Sequence, residues 1–268
     1  MMNLTDYLER IQFRGTPRAD LATLRALHTA HQYTVPFENL DVHLRRPVGL
    51  DIQANYEKIV RRRRGGWCYE LNSVMGWALT QIGFDVLRLS GGVHRGHLGD
   101  AQLGNHLCLL VRLEEPWLVD VGFGGSLLEP FPLRALERRD EPYRLGLSET
   151  VDGYWRFTET AHGDPFTFDF RVMPADEPVL EAKCRFLQTD PASSFVQNLV
   201  VQRRRADTHV SLRGRILATL YSSGVERHVL DSAEEFVATL RVTFGLDLPE
   251  AATLWPAIMA RHAELFGS

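Results

Sequence analysis

The sequence has no stretch approaching the roughly 20 consecutive apolar residues of a membrane-spanning helix, so no membrane span is expected. Its first residues, Met-Met-Asn-Leu-Thr-Asp, lack a basic region followed by an apolar core, which argues against a secretory leader and for a cytoplasmic protein. Cysteine is scarce. Three in 268 residues, an odd number, do not suggest a disulfide framework and suit a reducing compartment. Lysine is confined to Lys58 and Lys183, and the net charge of −4 provides no basic field for a nucleic acid. His94 and His97, in His-Arg-Gly-His, could join Cys68 or Cys108 around a metal, but neither Cys-x-x-Cys nor His-Glu-x-x-His accompanies them, so no metal is expected. Internal repeats and low-complexity linkers are also missing.

What is present is a 44% hydrophobic composition, enough for a substantial core, and a periodicity that changes twice along the chain. Residues 3–83 read as helical, with helices near 4–11, 20–31 and 51–63 and a fourth starting at Cys68. From 86 to about 173 the pattern shifts to short runs at 86–89, 107–113, 117–121, 143–147, 154–159 and 166–172, with Asp152-Gly153 as a hairpin turn; this predicts an antiparallel barrel or sandwich. The remainder mixes strands at 196–201, 210–212 and 216–220 with helices opening at Ser232 and near 249. The reading is an α+β chain in three segments, 1–83, 84–190 and 191–268.

The residues Arg64-Gly65-Gly66-Trp67-Cys68-Tyr69-Glu70-Leu71-Asn72 place a cysteine where a glycine-loosened loop becomes a helix. Apolar Leu71, Val74, Met75, Ala78, Leu79 and Ile82 follow at helical spacing and Gly83 closes the run. Unpaired N–H groups and the positive end of the helix dipole in that first turn favour a thiolate over a thiol. A thiolate needs a partner. His106 in Asn-His-Leu-Cys-Leu-Leu-Val and Asp120 in Trp-Leu-Val-Asp-Val-Gly lie in apolar strand-like runs separated by the turn Glu114-Glu115-Pro116, and a hairpin would set them close. Cysteine as nucleophile, histidine as proton acceptor and aspartate as orienting carboxylate form a coherent set. Upstream, a bidentate Arg64–Glu38 bond would lock the cysteine loop against the segment 35–40.

Taken with Val35-Pro36-Phe37-Glu38-Asn39-Leu40 upstream and Val119-Asp120-Val121-Gly122-Phe123-Gly124 downstream, these blocks closely resemble the arylamine N-acetyltransferase family, and Ser193-Ser194-Phe195 with Val200-Val201-Gln202-Arg203 extends the likeness. The resemblance implies an N-terminal helical bundle, a central antiparallel β-barrel and a C-terminal α/β lid around a papain-like Cys-His-Asp core. It implies transfer of an acetyl group from acetyl-CoA to an aromatic amine, hydrazine or N-hydroxyarylamine, with Cys68, His106 and Asp120 as the triad. Phe37, Phe123 and Phe195, with Val93, would line the aryl pocket, and Asn105, Gly124, Gly125 and Ser126 would meet coenzyme A. Asn105 stands where the family often has Thr, and Gly125 where some members carry a basic residue. Two other readings stay open: an amide synthase closing a macrolactam from a carrier-bound thioester, and a cysteine peptidase or transglutaminase-like enzyme. The second needs an open peptide cleft, whereas the chain after Phe195 would cover the site. A monomer and a homo-oligomer are equally compatible with the sequence.

Overall fold

The computed structural model describes residues 1–267. Its N-terminal region is helical: Leu4–Arg10, Leu21–Thr34, Ile52–Tyr56 and Cys68–Ile82. Local chemistry fixes the ends. Asp20 accepts the Thr23 N–H at 2.8 Å to start the second helix, and Gly83, at φ 106°, stops the last one in the left-handed region. The expected single helix over 51–63 instead turns into a π-helical segment, Glu57–Arg61, whose wider turn accompanies a buried Lys58.

The central region is one eight-stranded antiparallel sheet in the order Phe131–Pro132, Pro116–Val119, His106–Arg112, Asp85–Val93, Phe166–Phe170, Trp155–Thr160, Tyr143–Glu149 and Leu136–Asp140. The two edge strands are joined by residues 133–135 alone, so the sheet has to curl until its edges approach. It is a curled, open half-barrel, the form that the expected antiparallel barrel takes here. Phe157, Phe168 and Phe170, all fully buried, line its hollow with Leu89, Cys108, Leu110 and Leu145. Strand His106–Arg112 is buried on both faces: Cys108 and Leu110 point into the hollow, whereas Leu109 and Val111 pack against Val74, Met75 and Ala78 of the cysteine helix. Burial on both faces explains its continuous apolar run where an exposed sheet would alternate.

A second sheet of five strands runs Phe37–Glu38, Val200–Arg204, His209–Arg213, Ile216–Tyr221 and Gly224–Val229. Helices Ala233–Phe244 and Trp255–Phe266 cover it, burying Phe236, Leu240 and Phe244 against Val201 and Leu212 at about 1.5–3 kcal/mol for each large side chain. Its first strand comes from the N-terminal region, with Phe37 opposite Gln202 and Glu38 opposite Val201. The strand expected at 196–201 begins later, because Ser193 caps a short helix at Ser194–Gln197. The helix Glu177–Thr189 falls where no element was expected. No helix among the described residues is long and apolar enough to cross a membrane.

Candidate active site

Cys68 is the first residue of its helix and is 5% exposed. The loop before it is pressed close. A Cβ on Gly65 would lie 2.2 Å from the Pro36 carbonyl oxygen and 2.7 Å from Glu38 Cγ, so only glycine fits. Behind the loop lies a buried ion network. Arg64 Nη2 and Nε donate to Glu38 Oε1 at 2.7 and 3.1 Å, and Nη2 also reaches Asp41 at 3.1 Å. Lys58 Nζ donates to both oxygens of Glu70, at 2.9 and 3.0 Å, and lies 2.9 Å from Asp41. Glu70 Oε2 in turn accepts the Trp67 N–H at 3.2 Å, and Glu38 Oε2 accepts that of Leu40 at 2.8 Å. Every carboxylate in this network therefore grips the backbone or a cation next to the cysteine turn. Burial opposes the charge on Lys58, but Glu70, Glu38 and Asp41 outweigh it and hold the ammonium form.

His106 begins its strand and Asp120 directly follows Pro116–Val119, the neighbouring strand. His106 Nε2 donates to Asp120 Oδ2 at 2.6 Å, both residues being buried, which leaves Nδ1 as the ring nitrogen free for Cys68. Asp120 Oδ1 accepts from Asn72 Nδ2 and from the Gly122 N–H, each at 2.8 Å. Asn72 also donates to the Leu107 carbonyl at 2.6 Å and accepts the Val121 N–H at 2.9 Å, so one side chain ties the cysteine helix to both strands. From the other side, the Asp120 N–H donates to His28 Nε2 at 3.2 Å and its carbonyl accepts from Gln32 Nε2 at 3.3 Å. Burial disfavours the imidazolium of His106, but the Asp120 carboxylate and the neighbouring Cys68 sulfur prevail and push its pKa up to about 10.

Aromatic rings stand on two sides. Phe123 lies 5.2 Å from the His106 ring and Phe168 lies 4.7 Å from it, while Phe166 stacks on Phe123 at 5.0 Å. On the cysteine side, Phe195 meets Phe37 at 6.3 Å and Trp67 at 5.3 Å. Val93 packs on the Phe123 cluster and pairs with Phe168 across the strands. The Asn105 amide is occupied locally, accepting the Val93 N–H at 2.7 Å and donating to Gln102 at 2.8 Å. Gly124 and Gly125 adopt positive φ, 81° and 102°, where the loop crosses Gln202 and Arg204, and Ser126 is buried with its hydroxyl beside the Glu159 carboxyl. The structure thus gathers Cys68, His106, Asp120 and Phe123, sets Phe37 and Phe195 beside the thiol, and places Arg64 with Glu38 beneath the loop. Among the described residues no group of three or more His, Cys, Asp or Glu could hold a metal ion.

The sequence reading passed over Asn72, His28, Gln32, Phe166 and Phe168. Each had a signal: Asn72 lies four residues after Cys68 on the same helix face, His28 and Gln32 are likewise four apart, and Phe166, Phe168 and Phe170 alternate along one strand face.

The chain is thus an α+β protein with a helix-start thiol set beside a histidine–aspartate pair at the margin of a curled antiparallel sheet. Residues 20–253 match the family model for N-acetyltransferase. The chain is 38% identical to the arylamine N-acetyltransferase of Mycolicibacterium smegmatis, over 98% of each chain, and 34% identical to that of Escherichia coli, over 92% of this chain and 90% of the relative. The solved structure of Mycobacterium marinum arylamine N-acetyltransferase in complex with CoA superposes with a TM-score of 0.85 at 32% identity, over 97% of this chain and 98% of that one. The chain belongs to the arylamine N-acetyltransferase family.

Proposed function

We propose that this chain transfers the acetyl group of acetyl-CoA to the nitrogen of an arylamine, arylhydrazine or N-hydroxyarylamine by a ping-pong route through acetyl-Cys68. The observation that carries the reading is the Cys68 helix start set against His106, itself held by Asp120 at 2.6 Å, in a chain of this family. His106 Nδ1 takes the Cys68 proton and the thiolate attacks the thioester carbonyl. The oxyanion that forms is met by N–H groups at the helix start, including that of Cys68. Collapse breaks the bond to the CoA sulfur, which leaves with the proton from His106. The amine then enters, attacks the acetyl-cysteine and passes its proton to His106, and the Cys68 thiolate is restored. Asp120 keeps the imidazole in the tautomer that points Nδ1 at sulfur.

Phe123 and Val93 on one side, and Phe37 and Phe195 on the other, offer the flat apolar slot an aryl group requires, and exclusion of water there favours attack by amine over hydrolysis. The Gly124-Gly125-Ser126 loop, with its positive φ angles, presents backbone N–H groups suited to the pyrophosphate of CoA, and Asn105 supports that side by bracing the backbone at Val93. In this reading residues 1–83 supply the thiol, 84–190 the histidine and carboxylate, and 191–268 the cover, with the protein working in the cytoplasm. Intact mass spectrometry tests it. Acetyl-CoA alone should add one acetyl group, mapped to the peptide carrying Cys68, an aniline or hydrazine should discharge it faster than water, and Cys68→Ala should abolish both. CoA release that requires the amine first, with no acetylated Cys68, would overturn the covalent route.

A further inference from the structure

The hollow of the curled sheet is lined by aromatic and aliphatic side chains, with one exception. Strand alternation puts Glu159 on the same face as Phe157, which is fully buried in the hollow. Glu159 stands directly opposite Phe166 on one neighbouring strand and Leu145 on the other. Phe166 is the ring stacked on Phe123, which touches His106, so the carboxyl lies two aromatic contacts from the reacting centre. Oε2 of Glu159 is shielded from solvent and lies beside the Ser126 hydroxyl, and His209 lies beside the Gly124 backbone, but none of Glu159 Oε2, Ser126 Oγ and His209 Nε2 makes a hydrogen bond of good geometry. Tyr143, two residues from Leu145 and so on the same face, hydrogen-bonds His209 through Nδ1, which ties His209 to this corner. Enclosed polar atoms that are poorly satisfied cost about 1–3 kcal/mol apiece unless a ligand group or water completes them, and the Glu159–Ser126 pair stands next to the Phe166–Phe123 stack in this way.

We propose that Glu159, with Ser126 and His209, forms a polar corner of the acceptor pocket that receives a hydrogen-bonding substituent carried by the amine at the end remote from its reacting nitrogen. The assignment rests on the acyl-transfer reading above and names the acceptor class: aryl amines bearing a hydroxyl, amino or amide group, in preference to those bearing an alkyl group of the same size. Burial pushes the Glu159 carboxyl up to about 8, outweighing the hydrogen bond from the Ser126 hydroxyl, which lowers it, and the Asp120 carboxylate adds to the rise. At neutral pH it is then largely a neutral acid able both to donate and to accept, which suits these groups. Phe166, 37% exposed, forms the outer edge of the same wall and gives the substituent a ring to slide along.

The test compares 4-aminophenol with 4-methylaniline in the wild type, Glu159→Leu and the near-isosteric Glu159→Gln, with acetyl-Cys68 formation from acetyl-CoA measured separately and folding followed by thermal melts. The ratio of kcat/KM values cancels the intrinsic reactivity of the amines when taken between enzymes. Glu159→Leu should shift that ratio toward 4-methylaniline by 10-fold or more, and Glu159→Gln should shift it less and in the same direction. An unchanged ratio in a folded Glu159→Leu protein that still acetylates Cys68 refutes the corner. So does a loss confined to the acetyl-CoA step, which would give these residues to the CoA end. Absence of acetyl-Cys68 in the wild type would bring down the acyl-transfer reading, and this assignment with it.

Discussion

Gly122 is where the cysteine helix and the aspartate loop meet, and replacing it with alanine gives a perturbation whose size can be read from the structure. Its φ lies outside the left-handed range, so the backbone accepts any residue and only space is at issue. A Cβ there would sit 2.5 Å from Cys68 Cα, 2.7 Å from Asn72 Nδ2 and 3.0 Å from Cys68 Cβ, where ordinary contacts begin near 3.4 Å. Two of those atoms belong to the backbone and first turn of the nucleophile helix, which cannot swing aside as a flexible side chain would. The two elements must part by roughly 1 Å, and a displacement of that size at reacting groups costs on the order of 10²-fold in rate. Overpacking adds a stability loss of about 1–3 kcal/mol, a melting temperature lower by roughly 2–4 °C per kcal/mol in a chain of this length. Gly122→Ala should therefore remain folded while the burst of CoA released on mixing with acetyl-CoA slows about 10²-fold. Gly76→Ala is the control: its Cβ would come no closer than 3.4 Å, to Leu109 side-chain atoms, and alanine favours a helix interior by about 1 kcal/mol. A Gly122→Ala enzyme that acetylates Cys68 at the wild-type rate would refute this account of how the thiol is positioned.

Three further outcomes are expected. Asp120→Asn removes the carboxylate that raises the His106 pKa, so alkylation of Cys68 by iodoacetamide at pH 7 should slow and acetyl transfer should fall on the order of 10³–10⁴-fold; an unchanged pH profile of alkylation would contradict it. Arg64→Met leaves Glu38 and Asp41 without the guanidinium they share, at a cost of about 3–5 kcal/mol by chemical denaturation, and the double variant with Glu38→Gln should regain part of the loss; equal destabilisation of the two proteins would argue against the pair. Burial pushes His28 down to about 4, so the folded state binds fewer protons than the unfolded one; its contribution is complete above about pH 6.5 and lost as pH falls toward 4, at most about 3 kcal/mol. Burial sends His209 the same way, to about 3. Melts between pH 7 and 4.5 should decline less steeply in His28→Gln, and an equal decline would remove His28 as a cause.

Some of this architecture was legible because local chemistry and tertiary packing agree. The cysteine helix has its apolar face, its loosened entry and its stop at Gly83, and the structure bounds it at Cys68–Ile82. Strand His106–Arg112 and its partner announced themselves as apolar runs around a turn, and that hairpin is what brings His106 and Asp120 within reach. Other elements left weaker traces. Helix Glu177–Thr189 carries an Asp176 cap, whose side chain accepts the Val179 N–H at 3.1 Å, and a proline in its first turn, but only Leu180 and Cys184 are buried along it, too few to stand out as a stripe. Phe37–Glu38 is two residues long, and its status as a strand depends on a partner 165 positions away, which no local window contains. Asn72 left only its spacing of four residues from Cys68, because a single buried amide on an apolar helix face gains meaning once the Leu107 carbonyl and the Asp120 carboxylate are seen opposite it.

That short strand also has a consequence for the order in which the molecule is made. Glu38 holds Arg64 beside the thiol turn, yet the segment carrying it is held in the second sheet by Val200–Arg204. During synthesis the helical region, with Cys68, leaves the ribosome long before the strand that fixes Phe37–Glu38 exists. At elongation rates of roughly 5–20 residues per second, the interval is on the order of ten seconds. Closing a loop of that span is also among the slower steps open to a chain. The cysteine turn is thus completed late, from the far end of the polypeptide, and a nascent chain or a C-terminally shortened product would carry the cysteine without the geometry of the folded site. Thiol reactivity, followed during refolding, would then report completion of the second sheet rather than formation of the helix on which the cysteine resides.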